Sequence, residues 1–313
     1  MSDDQDLLVE FDTLRQASLG ISQTIDAVRK LAVSKIVGPN VMYGHDGVHG
    51  AFADFCSRWD EGVGELVKEG DSLSDGLKPP SISSCKVRVP TSAATPHPMT
   101  PPAVIDMAEL GETHNPRDLI PGDPNAIVEN GRRLADESAN MSEAGDGLSG
   151  IDAGDWHGQG ADAFKKKFSF EPAKWYTASD AFEQASLALD DFADTLRWAQ
   201  GQTLEAIHKW DTGVAESKAA IALHNVVVDS ANAVNAANDA SGFKAPPVAV
   251  GALVDPGIET RQAAHDMLEH AREQVHTAGG QAAGLLAAQT AEAPAKKVAA
   301  TGGLDLGQVA LGA

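Results

Sequence analysis

Two apolar ladders at seven-residue spacing constrain this chain most strongly. Ile127, Leu134, Met141 and Leu148 form the first; Phe168, Trp175, Phe182, Leu189 and Leu196 form the second. A side chain repeated every seven residues stays on one face of a helix but switches faces in a strand. Four positions after Ile127, Leu134 and Met141 lie Gly131, Ser138 and Gly145. Three positions after Trp175, Phe182, Leu189 and Leu196 lie Ala178, Ala185, Phe192 and Ala199. Large rows beside small rows are how helical seams interdigitate, so these ladders predict an antiparallel hairpin. Asp123 is placed to cap its first helix, with Pro124 at the first helical position. The Gly/Asp-rich run Asp152–Gly160 is the turn. Pro172 predicts a kink, or a restart at Glu171. The ladder resumes at Ile207, Val214, Ile221 and Val228 after a four-residue stutter. A helix from Pro172 to about Ala240 would span roughly 100 Å.

Helical spacing also runs through residues 5–36, with Leu7, Phe11, Leu14, Ile21, Ile25, Val28 and Leu31. After the break Val37-Gly38-Pro39-Asn40, a second helix is predicted from about Asp46, its expected N-cap, to Leu77. Its ladder is Val48, Phe52, Phe55, Trp59, Val63, Leu66, Gly70, Leu73 and Leu77. Prolines scattered from Pro79 to Pro116 read as an extended linker. Residues 257–293 return to helix, with Leu268, Ala271, Val275, Ala278, Ala282 and Leu285 on one face and Gly279-Gly280 weakening its middle. The expected fold is all-α: an N-terminal hairpin (1–80), a proline-rich linker (81–118), a second hairpin (119–245), a C-terminal helical segment (246–293) and an Ala/Gly-rich tail (294–313).

Acidic residues outnumber basic ones 45 to 24, a formal charge of -21, which disfavours nucleic acid and anionic lipid as partners. Two cysteines, Cys56 and Cys85, make neither a disulfide framework nor a zinc site; they read as free thiols, with pairing open in an oxidising compartment. The acidic start has neither the basic nor the apolar region of a general secretory signal. No run reaches the roughly 18 apolar residues of a spanning helix. The expectation is therefore a cytoplasmic protein, or one exported by a route that reads folded structure, with no membrane insertion.

No nucleophile elbow, phosphate loop or paired acids in a pocket-forming fold point to catalysis, so no enzyme activity and no cofactor are expected. His45 and His49 stand four apart, as zinc ligands on a helix do. A hydrolase would need Glu at Asp46, an unbroken helix at Gly47 and a third ligand, so no metal is expected.

The remaining feature is Trp156-His157-Gly158 in the turn between the heptad-patterned helices. Leaving an indole in water forfeits roughly 1.5–3 kcal/mol, so Trp156 either plugs the end of its own hairpin or is presented to a partner. Two long helices joined by Trp-x-Gly resemble the WXG family of helical hairpins exported by type VII (ESX) secretion. Four ordered landmarks resemble an actinobacterial group of type VII secreted proteins: Leu119–Pro124, Asp155–Gly158 with Ala161–Phe164, Leu196–Gln200, and Val254–Gly257. The resemblance covers residues 110–293; residues 1–80 resemble a divergent hairpin with Tyr43–Gly47 at its turn.

That resemblance implies a targeting module of a polymorphic-toxin-type effector, secreted without a signal peptide. It implies Trp156 and Gly158 as recognition residues, and a small WXG-type helical partner, or a second copy, as mate. The type VII secretion ATPase is implied as receptor, and a toxin, in the same chain or separate, with its immunity protein. The family's Tyr-x-x-x-Asp/Glu export signal matches Tyr176 and Asp180 in spacing, and a related His-x-x-x-Asp/Glu pattern matches His265 and Glu269. The alternative is an intracellular coiled-coil-like scaffold with no export role.

Overall fold

The computed structural model describes residues 3–78, 107–152, 154, 156–242 and 244–295. Cys85 and most of the expected linker, the tail from residue 296, and the side chains of Leu7 and Phe11 lie outside the described residues. Among the described residues seven α-helices follow in order: α1 (Asp3–Asp26), α2 (Asp46–Gly76), α3 (Pro116–Leu119), α4 (Pro124–Ser149), α5 (Gln159–Phe168), α6 (Glu171–Ser241) and α7 (Gly257–Ala291). There is no strand among the described residues, and the protein is all-α.

The 71-residue α6 is the spine, roughly 105 Å long. It begins at Glu171, with Pro172 in its first turn, where a missing N–H costs nothing. α4 folds back along its first part. α7 runs antiparallel along its middle, from Gly257 beside Gly213 to Ala282 beside Phe192. α2 packs chiefly on α7, and α1 on α2 and the end of α4. All share one continuous core, so the two hairpins are packed together.

Small residues set the spacing of α4 and α6. Ser138 and Ser179 each donate a hydroxyl to the other's backbone carbonyl at 2.9 Å, and Ser186 donates to the Gly131 carbonyl at 2.8 Å. A Cβ on Gly145 would lie 2.7 Å from the Tyr176 ring. Ser18 and Ser74 repeat the reciprocal serine contact between α1 and α2 at 2.9 Å. Each buried hydroxyl thus has a partner, which removes the cost of burying it. The large residues fill the space between: Trp175, Phe182, Leu189 and Leu196 are buried on α6, as are Ile127, Leu134, Met141 and Leu148 on α4. Every member of the α2 ladder is buried. Phe55 and Trp59 of α2 meet Phe182 edge-on at 5.2 and 5.4 Å, and the Trp59 indole donates to the Gln289 carbonyl of α7 at 3.0 Å.

Several expectations need correction. The helix expected over 5–36 ends at Asp26, and short 3-10 turns follow. Val28, Val33 and Ile36 all reach the core from that stretch, which one straight helix could not achieve. His45, not Asp46, caps α2: its Nδ1 accepts from Val48 N at 3.3 Å, while Asp46 accepts from Asn40 Nδ2 at 2.8 Å. Beyond Ile207, the face of α6 that meets the start of α7 is Gly213 and Ser217; Val214 and Val228 are half-buried and Ile221 is exposed. On α7 the buried residue is Leu286, while Leu285 is 49% exposed. Seven-residue steps drift around a 3.6-residue helix, and close crossings select small side chains over large ones. Residues 107–118, expected as linker, instead form a strap that ends in the single turn of α3, capped by Asn115.

Asp190 faces this seam with its Oδ1 buried and unpartnered, beside Gly131. Burial, then Asp194 and Asp191, push its carboxyl above the usual range. A raised carboxylate opposes folding at neutral pH, and the penalty vanishes below the unfolded value of about 3.9. Asp190→Asn is therefore expected to raise stability by about 0.5–1 kcal/mol at pH 7, after allowance for solvent screening, and by nothing near pH 3. Urea midpoints at the two pH values check this.

Candidate functional site

The landmarks carried by the resemblance fall at junctions of the helices. At the entry to α4, Gln200 Nε2 donates to the carbonyls of Ile120 (3.1 Å) and Gly122 (3.0 Å). Asp123 N donates to the Met42 carbonyl at 2.7 Å. Gly44, with φ +62°, sits against the Pro121 carbonyl and leaves no room for a Cβ. This junction locks the loop before α2 to the loop before α4. The strap is held alongside: Arg272 of α7 donates to the carbonyls of Ala108 (2.8 Å) and Leu119 (3.4 Å), and Trp210 of α6 covers Gly111. At the start of α7, Asp255 accepts from Ser217 Oγ (2.6 Å) and Gly257 N (2.9 Å) and pairs with Arg261. There Gly213 and Gly257 touch backbone to backbone.

The hairpin tip is built differently. Gly154 (φ +65°) and Gly158 (φ +105°) turn the chain through conformations that disfavour any side chain. Nothing crowds Gly158, so its requirement is the backbone angle alone. Trp156 is half-buried, and its ring packs on Phe164 of α5 with centroids 5.8 Å apart. Phe164 stacks on Phe168 at 5.1 Å. Trp156 thus rests on the short helix that follows it, not in the α4–α6 seam. Phe168 belongs to this aromatic group rather than to the buried face of α6. Phe170 is 64% exposed beside it, and Lys165, Lys166 and Lys167 are exposed on α5. This gives an aromatic tip with three clustered lysines, and with Asp152 and Asp162 exposed nearby, on a strongly acidic chain. Phe170 and the three lysines were missed in sequence, although Lys-Lys-Lys-Phe-Ser-Phe in such a chain is a legible signal.

Two neighbours brace the tip. α1 props its turn, with Thr13 against Gly154 and Gly20 against Ile151. At its base, Lys174 bridges Glu69 of α2 (2.5 Å) and Glu171 (2.7 Å). Burial works against the lysine's charge, but these hydrogen bonds more than offset it, and its pKa lies above the ordinary value.

The other candidate residues are dispersed. Tyr176 packs on Gly145 and donates to Asp146 Oδ1 at 2.7 Å, joining α6 to α4, while Asp180 is exposed one turn on. His265 and Glu269 are exposed on α7, and Glu269 pairs with Arg272 at 3.1 Å. His45 faces His276 of α7 (5.6 Å) and fills the space that Gly279 leaves; His49 faces Tyr43 (5.4 Å). No group of three or more His, Cys, Asp or Glu placed to hold a metal occurs among the described residues. Cys56 is buried and free, and burial pushes its thiol far up.

The described residues thus form a bundle of long helices with a glycine-turned aromatic tip. Residues 54–297 match the family described as "Putative T7SS secretion signal domain", and the chain belongs to that family. No curated protein and no solved structure matches it. The match begins inside α2, so it is wider than the span 110–293 that the landmarks delimit. Membership makes the chain a type VII secretion substrate, exported by that route. No described helix is long and apolar enough to cross a membrane.

His45 gives the fold a dependence on pH. Burial, then His276, lower its pKa, with Asp46 pulling the other way, and capping needs the neutral ring as acceptor. A depressed histidine contributes fully above the unfolded value of about 6.5, and the contribution is lost as pH falls through the folded value. Stability is expected to fall between pH 7 and pH 5, and His45→Ala to cost roughly 1 kcal/mol at pH 8 and to flatten the acid decline. Urea titrations across that range measure both.

Proposed function

We propose that the protein is the targeting module of a toxin-type secreted effector, acting by recognition and not by catalysis. The α4–α6 hairpin displays the tip formed by Trp156, Phe164, Phe168 and Phe170 with Lys165–Lys167, and the type VII secretion ATPase, alone or with a small WXG-type helical partner, grips it there. The observation that carries this reading is the tip itself. Aromatic surface left partly open beside three exposed lysines, on a chain of formal charge -21, is a poor investment for stability alone and suits an acidic, groove-bearing receptor. A toxin activity belongs to a following domain or to a separate chain with its immunity protein.

The test is export of the full chain from cells with an intact type VII system. Trp156→Ala, Phe170→Asp and the triple Lys165→Glu/Lys166→Glu/Lys167→Glu change are each expected to lower the exported fraction about tenfold or more, equivalent to about 1.4 kcal/mol of recognition. Circular dichroism of the purified variants should match the parent. Gly158→Ala is expected to act more weakly, by straining the turn. Wild-type export from all variants would refute the tip as the recognition element. Retention of the parent chain in the cells, whatever the state of the secretion system, would favour the scaffold alternative.

A further inference from the structure

We infer that the far end of α6 is a self-association arm, on which a second copy of this chain docks antiparallel. α7 begins beside Gly213, so α6 from Lys218 to Ser241 runs on without a helical neighbour among the described residues. One side of this arm carries the extended segment before α7, held where Asn235 exchanges two hydrogen bonds with the Val248 backbone at 2.8 and 3.1 Å. Among the described residues nothing covers the opposite side. Along it Ala219, Leu223, Val226, Ser230, Ala233 and Ala237 follow one another at steps of four and three, all exposed, with Val227 and Val234 beside them. Leu223 is 67% exposed and Val226 62%. Steps alternating between three and four over three turns or more are the pattern of a coiled-coil seam. No charged residue lies in that row, in a chain where charged residues are 22% of the total.

The order of sizes selects the occupant. Reversed about residue 228, the row is complementary to itself: Leu223 falls opposite Ala233, Val226 opposite Ser230, and Ala219 opposite Ala237. Large meets small at each unlike pair, which is what an isologous two-fold interface requires. Burying the row and its flanking valines would cover on the order of 700 Å² per copy, close to the roughly 800 Å² each partner contributes to a standard interface. Charge selects the direction. Parallel pairing would set two acidic bodies side by side. Antiparallel pairing separates the arm bases by roughly 30 Å, several Debye lengths of about 8 Å. Asp229 flanks the axis and meets its own copy there, a repulsion that salt screens.

Sedimentation equilibrium of the full chain tests this. At tens of micromolar the expected mass is that of two chains, and Leu223→Lys or Ala233→Lys should each weaken association about tenfold or more. Both positions are exposed, so far-UV circular dichroism should not change. In a Cys85→Ser background, Leu223→Cys with Ala233→Cys should form an interchain disulfide, whereas Leu223→Cys alone should not, its two copies lying roughly 15 Å apart. A monomer at these concentrations would overturn the inference. So would a dimer that survives Leu223→Lys combined with Val226→Lys, failure of the paired cysteines to cross-link, or cross-linking of Leu223→Cys to itself.

Discussion

The close approach of backbones along α6 is the contact on which the rest of the structure depends. Three positions on α4, Gly131, Ser138 and Gly145, bring that helix near enough for its hydroxyls and carbonyls to bond directly across the seam. Further along, Gly213 and Gly257 do the same for α7. A long helix can serve two neighbours in this way only if small residues occupy the contact rows. Larger ones would push the axes apart and open voids beside Trp175, Phe182 and Leu196 that dispersion could not fill. The serines add a condition of their own. A buried hydroxyl is tolerable where its partner carbonyl is at hand, so their pairing fixes the helices in register as well as in distance.

The loops then tie the elements into one body. The Gln200 amide, the Asp123 amide and the Gly44–Pro121 contact bring three separate parts of the chain to one point. Arg272 and Trp210 hold the strap before α4 against α6 and α7. The landmarks at the entry to α4, around Leu196–Gln200 and before α7 thus have structural work at junctions. This separates them from the turn at Trp156, where the glycines shape the chain, Trp156, Phe164 and Phe168 are half-buried, and Phe170 and the three lysines are left to solvent.

Charge divides the molecule by task. The chain as a whole is acidic, the tip gathers three lysines beside its aromatic rings, and the distal arm of α6 has a charge-free apolar face. Like charge over the body keeps copies apart except where a surface is locally free of it. The tip and the arm both carry exposed apolar side chains, Phe170 on one and Leu223 and Val226 on the other, and both stand at the ends of the α4–α6 spine.

The sequence by itself determined the helical class, the α4–α6 hairpin, the start of α6 near Pro172 and the buried face of α2, because local periodicity and capping chemistry act within a few turns of chain. It also carried the Trp156–Gly158 turn. Tertiary structure alone decided that α1 stops at Asp26, that His45 caps α2, that Leu286 rather than Leu285 enters the core, and that residues 107–118 pack as a strap. It alone placed Tyr176 on Gly145, set Phe168 with Trp156 on α5, and left α6 from Lys218 onward without a helical neighbour among the described residues. The reason is common to all of these. A repeat specifies which residues share a face, but the neighbour's distance and crossing point decide which face is covered, and those depend on contacts between residues far apart in the chain.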